Sequence, residues 1–175
     1  MTDSKSSQMV TAENLLRTNP SQEVLTDASQ ELVTVAEVAG DAAGYGVGLA
    51  ALSDLSFAAP SARFWFPEVE AGLTPTVVLA GLPSLVGRIH AFRIAASGVR
   101  VGGRQAADMG LVTGVADNDK GLADLVESEI QSILRQPQSA HREIRKFLNE
   151  AATTWPTSAD ELSVDRLVVN SLRPR

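Results

Sequence analysis

The stretch from Gly40 to Asp54, GDAAGYGVGLAALSD, constrains this chain more than any other. A run rich in β-branched and apolar residues, Leu32 to Val38, leads into it, and the small apolar run Val47 to Leu52 leads out. That order predicts a strand, a glycine turn and a helix. Glycines at 40, 44, 46 and 48 let the backbone bend sharply and let another group approach without meeting a Cβ. A helix that starts directly after such a turn leaves its first N–H groups without intrahelical partners, and its dipole favours negative charge there. The turn therefore suits an anion, or an oxygen that becomes anionic during a reaction. The same glycines also suit close helix–strand packing with no ligand, and the letters alone leave both readings open.

Two phosphate-binding patterns can be tested directly. No Lys-Ser or Lys-Thr follows the glycines, which excludes a P-loop. Gly46, Gly48 and Ala51 match the loose GxGxxA form of a dinucleotide fingerprint, yet the next strand, Leu55 to Ala59, ends without the acidic residue that would hold a ribose. A formal charge of −6 with no offsetting Lys/Arg cluster argues against a nucleic-acid partner. The chain has no cysteine, so a disulfide framework, a cysteine nucleophile and a thiolate metal site are excluded. Its two histidines, His90 and His141, lie far apart and are expected on helix surfaces, so no metal site is expected. No apolar run is long enough to span a membrane, and residues 1–10 show no signal-peptide pattern. A cytoplasmic protein is expected.

The 175 residues suit one domain, 44% apolar and 21% charged, with residues 1–14 read as a disordered start. Pro20 makes a break, and Ser21 opens a helix to about Glu31. Strands are expected at Leu32 to Val38, Leu55 to Ala59, Ala62 to Phe66 and Leu111 to Val115. Between them, Thr76 to Leu82 starts a helix after Pro75, Val86 to Ala96 is amphipathic and stops at Ser97-Gly98, and Arg104 to Met109 is a short helix stopped by Gly110. Gly121 to Leu134 is a well-patterned helix, followed by one over Ala140 to Ala152 whose Ile144, Phe147 and Leu148 stripe reads as core or subunit interface. Ser158 with Glu161 resembles a capping box for a last helix to about Ser171.

Glu68 follows Pro67 at the end of the aromatic strand Ala62 to Phe66. A carboxylate so placed is a candidate for general acid/base chemistry, although it can equally cap the next turn or stand in water.

Taken together, these residues look familiar. Gly40, Gly44, Gly46, Leu49-Ala50, Asp54, Ala59, Ala62-Arg63-Phe64, Pro67-Glu68-Val69, Gly72-Leu73 and Pro75 stand in an order and spacing that resembles the crotonase superfamily, also called enoyl-CoA hydratase/isomerase. The match runs on through Val86-Gly87, Ala91, Gly98, Ala106-Ala107 and Gly110-Leu111-Val112. The GVGL and PTVVLAGL stretches look most like the branch acting on methylglutaconyl-type enoyl-CoAs.

The resemblance implies an α/β, crotonase-like ββα spiral over residues 15–120, followed by a C-terminal helical oligomerisation region over 121–175. It implies acyl-CoA thioester substrates, no cofactor beyond the coenzyme A of the substrate, and homo-trimers or hexamers. Glu68 would be the general acid/base, and the backbone N–H of Tyr45 one of two donors to a thioester oxygen becoming an enolate. Gly44, Gly46, Leu73 and Pro75 would belong to the substrate site. Two departures accompany the match. A second glutamate usual in hydratases falls on Gly48, and the family's first oxyanion donor is expected upstream of residue 15, so that the N-terminal strands would be missing. A full-length crotonase partner supplying that part, a non-catalytic assembly or regulatory subunit, and a truncated inactive relic are the alternatives to an enzyme.

Overall fold

The computed structural model describes residues 33–152. The expected disordered start, the helix near Ser21 and the last helix from Ser158 lie outside them. Among the described residues six strands make two small sheets. In the first, β1 (Val35–Val38) pairs in parallel with β3 (Leu55–Ala58), which pairs in parallel with β6 (Gly114–Val115). In the second, β2 (Ala42–Ala43) runs parallel to β4 (Arg63–Trp65), and β4 runs antiparallel to β5 (Val101–Gly102). Repeated parallel pairing across connecting helices makes this a mixed α/β fold, as the sequence predicts.

Six α-helices are described beside them. The helix after the glycine turn is α1 (Tyr45–Leu52), then come α2 (Thr76–Leu79), α3 (Leu82–Ser97), α4 (Gly103–Asp108), α5 (Leu122–Leu134) and α6 (Gln138–Ala152). α5 packs across β1 and β3. Leu122 and Val126 are buried there and Leu125 and Ile130 partly so, while Leu134 at the end of the expected stripe is exposed. The core is continuous through Phe57, Phe64, Phe66, Ile94, Leu111 and Leu122, all 3% exposed or less. α6 is tied back by Arg145, which pairs with Asp54, and Asp54 also accepts hydrogen bonds from the Thr34 N–H and hydroxyl at 2.6 Å. One carboxylate thus links the starts of β1 and β3 to a helix more than ninety residues downstream. Ile144 and Leu148 of α6 are exposed and Phe147 half-buried, so that stripe is not core in the single chain.

Three elements differ from expectation. The strand expected over Leu111 to Val115 is reduced to Gly114–Val115. Gly110, at φ 81, ends α4 in the left-handed region, and the Leu111 N–H turns back onto the Ala106 carbonyl at 2.9 Å, which removes it from any sheet ladder. The helix expected from Val86 begins four residues earlier, with Pro83 in its first turn, and is interrupted at Gly87 by a φ/ψ of 74/156 that only glycine adopts readily. β2 was not expected; two residues between glycines leave no periodicity to read.

Candidate active site

The site is built where the second sheet ends. In the parallel pair β2 and β4, Ala42 lies opposite Phe64 and Ala43 opposite Trp65. Parallel strands finish at the same edge, so the glycine turn after β2 and the Pro67-Glu68 turn after β4 are brought side by side. The Gly44 N–H donates to the Trp65 carbonyl at 2.9 Å, extending that pairing into the turn. Phe66, with no exposed surface, anchors the other turn from below, a burial worth about 1.5–3 kcal/mol.

Pro67–Ala71 then form a short 3-10 segment. It closes at Gly72, whose φ of 70 lets the Leu73 N–H reach the Glu68 carbonyl at 2.9 Å. On the far side, Gly98 at the end of α3 presses on Val69: a Cβ there would stand 3.3 Å from Val69 Cγ1. The backbone of Glu68 is therefore held by its own turn and by α3.

Its carboxylate points at the glycine turn. A Cβ placed on Gly44 would fall on Glu68 Oε1, so a side chain at 44 and this carboxylate cannot occupy the same space. Gly44 also takes φ 52 and ψ −114, which L side chains rarely adopt. Glu68 Oε2 is buried and is the single buried side-chain polar atom among the described residues without a hydrogen-bond partner. Such an atom costs about 1–3 kcal/mol or more, which makes it a place to look for function. Tyr45 opens α1, and as a first helical residue its N–H has no intrahelical acceptor.

Tyr45 and Glu68 line a cleft of about 210 Å³ together with Thr74, Pro75, Thr76, Val77 and Val78. Of the residues singled out in the sequence, Gly44, Tyr45, Glu68 and Pro75 are thus brought together. Gly46 faces the Ala42 side chain instead, 3.7 Å from where its Cβ would be. The Leu73 side chain is 62% exposed and outside the cleft lining, and what Leu73 supplies is the amide that pins Glu68. At Gly48, Val78 Cγ2 lies 2.8 Å from the position of a Cβ, so a glutamate there would collide with valine. Val78 escaped the sequence reading because nothing in the run TVVL says which valine faces the glycine helix. Thr74 and Thr76 escaped it because isolated threonines carry no pattern.

Elsewhere, no group of three His, Cys, Asp or Glu among the described residues is placed to hold a metal ion, and none of their helices is long and apolar enough to cross a membrane.

Comparison with known families decides the relationship. The model of the family described as Enoyl-CoA hydratase/isomerase matches residues 4–172. The chain belongs to the enoyl-CoA hydratase/isomerase family. It is similar to the 1,2-epoxyphenylacetyl-CoA isomerase of Escherichia coli (strain K12), 33% identical over 128 residues, which is 72% of this chain and 48% of that protein. Among solved structures, the enoyl-CoA hydratase of Mycobacterium smegmatis superposes with a TM-score of 0.78 at 28% identity, over 89% of this chain and 65% of that one. A Silicibacter pomeroyi member of the enoyl-CoA hydratase/isomerase family matches with a TM-score of 0.78 at 25% identity, over 87% and 66%. A Thermobifida fusca protein of the enoyl-CoA hydratase type, in complex with acetoacetyl-CoA, shares the fold at a TM-score of 0.73 and 23% identity, over 81% and 55%. This family member therefore has the crotonase fold, and it spans about half the length of the curated relative and about two-thirds of the first two structural ones.

Proposed function

We propose that this chain carries out proton transfer on an acyl-CoA thioester, with Glu68 as general acid/base and the Tyr45 backbone N–H as a donor to the thioester oxygen. The observation that carries the proposal is Glu68 Oε2, buried and unpartnered beside the glycine turn. In the proposed step, Glu68 takes a proton from a carbon next to the thioester carbonyl, and the electron pair moves onto the carbonyl oxygen. The Tyr45 amide is fixed before the reaction begins, so it stabilises that charge as it develops rather than the ground state. Returning the proton to another carbon completes an isomerisation with one carboxylate. A hydratase would profit from a second one, and Val78 takes its room at Gly48.

Family membership supports this reading, and so do the thioester names attached to its relatives. The cleft holding Glu68 has no lysine or arginine in its lining among the described residues. That favours an uncharged acyl group over the methylglutaconyl type, whose free carboxylate calls for a cation. Assembly into trimers, hexamers or a complex with a longer relative is part of the proposal. Ile89 and Phe92 of α3 are 79% and 69% exposed, and Ile144 and Leu148 of α6 more than half exposed, apolar side chains on each helix suited to a partner. The same exposed side chains fit the second reading, a non-catalytic assembly subunit.

The test is turnover across a panel of short enoyl-CoAs. Glu68→Gln should lower the rate about 10²–10⁴-fold while leaving CoA affinity unchanged. Turnover that survives the substitution removes Glu68 from the mechanism. No turnover by a folded wild type that still associates with copies or relatives supports the assembly reading.

A further inference from the structure

Two clefts flank α2, and the second is not accounted for by acid/base chemistry. It measures about 190 Å³ and lies between α1 and α3, with Gly48, Ala51, Leu52, Leu82 and Leu85 in its walls. Apart from Ser84 its side chains are apolar, whereas the first cleft contains Glu68 and two threonines. Val77 and Val78 line both. Val77 is 60% exposed and projects to solvent, while Val78 is 8% exposed and lies between α1 and α2. The Val78 isopropyl group rests on the Gly48 backbone, its Cγ2 2.8 Å and Cγ1 3.6 Å from the position of a Cβ at 48. Glycine at 48 leaves a gap in the surface of α1, and Val78 fills it. Of the two side chains shared by the acid cleft and the apolar one, Val78 is therefore the one buried at their boundary.

We propose that Val78 is the specificity-determining residue for acyl length, a partition that stops a bound acyl chain at the end of the Glu68 cleft and shuts it out of the apolar cleft beyond. This rests on the thioester reading above. With the carbonyl oxygen at the Tyr45 amide and the adjacent carbons at Glu68, a linear acyl group is directed along Thr76 toward Val78. A two-methyl side chain blocks it there. Cutting Val78 back to alanine joins the two clefts, and further methylenes then leave water for the walls formed by Ala51, Leu82 and Leu85. Each methylene so buried is worth about a fourfold gain in affinity.

The experiment is calorimetric titration of CoA, butanoyl-CoA and octanoyl-CoA into wild type, Val78→Ala and Val78→Ile, each first shown to melt cooperatively. The octanoyl-to-butanoyl affinity ratio should rise at least about tenfold in Val78→Ala and fall about threefold in Val78→Ile, with affinity for CoA alone unchanged. Val78→Ile asks the same question if the alanine variant folds poorly. A ratio that stays constant in folded variants that still bind acyl-CoA overturns the partition and leaves the thioester reading standing. A folded wild type that binds neither acyl-CoA removes the thioester reading and the partition with it.

Discussion

The β1–β3–β6 sheet and the β2–β4–β5 sheet have three strands each, yet β1 and β3 pair over four residues while β2 and β4 pair over two. The first sheet is covered by α5 through Leu122 and Val126. Among the described residues it has no buried side-chain polar atom without a partner, and the backbone of its one buried polar residue, Ser56, donates to the Thr113 hydroxyl at 3.0 Å and accepts from the Thr113 N–H at 2.7 Å. The second sheet ends in two glycine-containing turns, with a positive φ at Gly44 and Gly72 and an orphaned carboxylate oxygen between them. Both sheets are buried, but the longer regular pairing is in one, and the positive-φ turns and the unmet hydrogen bonding are at the end of the other. Sites that must receive a ligand keep groups unsatisfied, and the stability lost there is recovered in the part of the core that has no other task.

Substitutions can break that comparison. Leu122, 1% exposed, belongs to the stabilising side, and Leu122→Ala should cost about 2–5 kcal/mol, seen as a melting temperature lower by roughly 6–15 °C. Its activity per folded molecule, measured well below the melt, should match wild type. If activity falls as far as stability, the two sheets are not separable.

Gly44→Ala tests the other side. The added Cβ displaces the Glu68 carboxylate and meets an unfavourable φ/ψ, so turnover should fall about a hundredfold for a stability loss of only about 1–3 kcal/mol. Normal turnover in a stably folded Gly44→Ala would show that contact between turn and carboxylate is not needed.

The smallest effect is expected at Asp119, which accepts a hydrogen bond from the Ser61 N–H at 3.1 Å. The Ser61 side-chain and backbone hydrogen bonds, with a lesser contribution from Arg63, hold its carboxyl below the ordinary value of 3.8. A depressed folded-state pKa means that this stabilisation is fully present above about pH 4 and is lost as pH falls through the lower folded value. Thermal melts at pH 6 and pH 3 should therefore show a slightly smaller acid-induced drop for Asp119→Asn than for wild type. An identical drop would mean that the loop between β3 and β4 contributes nothing to acid sensitivity.

Most elements among the described residues were legible without coordinates. The glycine turn with the helix ending at Leu52, the strands at Leu55 and Ala62, the helix stop at Gly98 and the α5 stripe are all local signals of periodicity, caps and breakers. The resemblance carried by those same residues pointed to the family that the comparisons show. What was missed is short or non-local. β2 exists only because β4 pairs with it, and the Leu111 to Val115 strand shrank because Gly110 turned the Leu111 amide back onto α4.

By itself, then, the sequence determined the family and most of the element order among the described residues, because amino-acid type and spacing act within a few turns of chain. Only the tertiary structure decided that Glu68 meets Gly44, that Leu73 contributes its amide rather than its side chain, and that Val78 fills the gap above Gly48. Those outcomes depend on a two-residue parallel register and on which face of a one-turn helix points inward, and no local pattern in the chain encodes either.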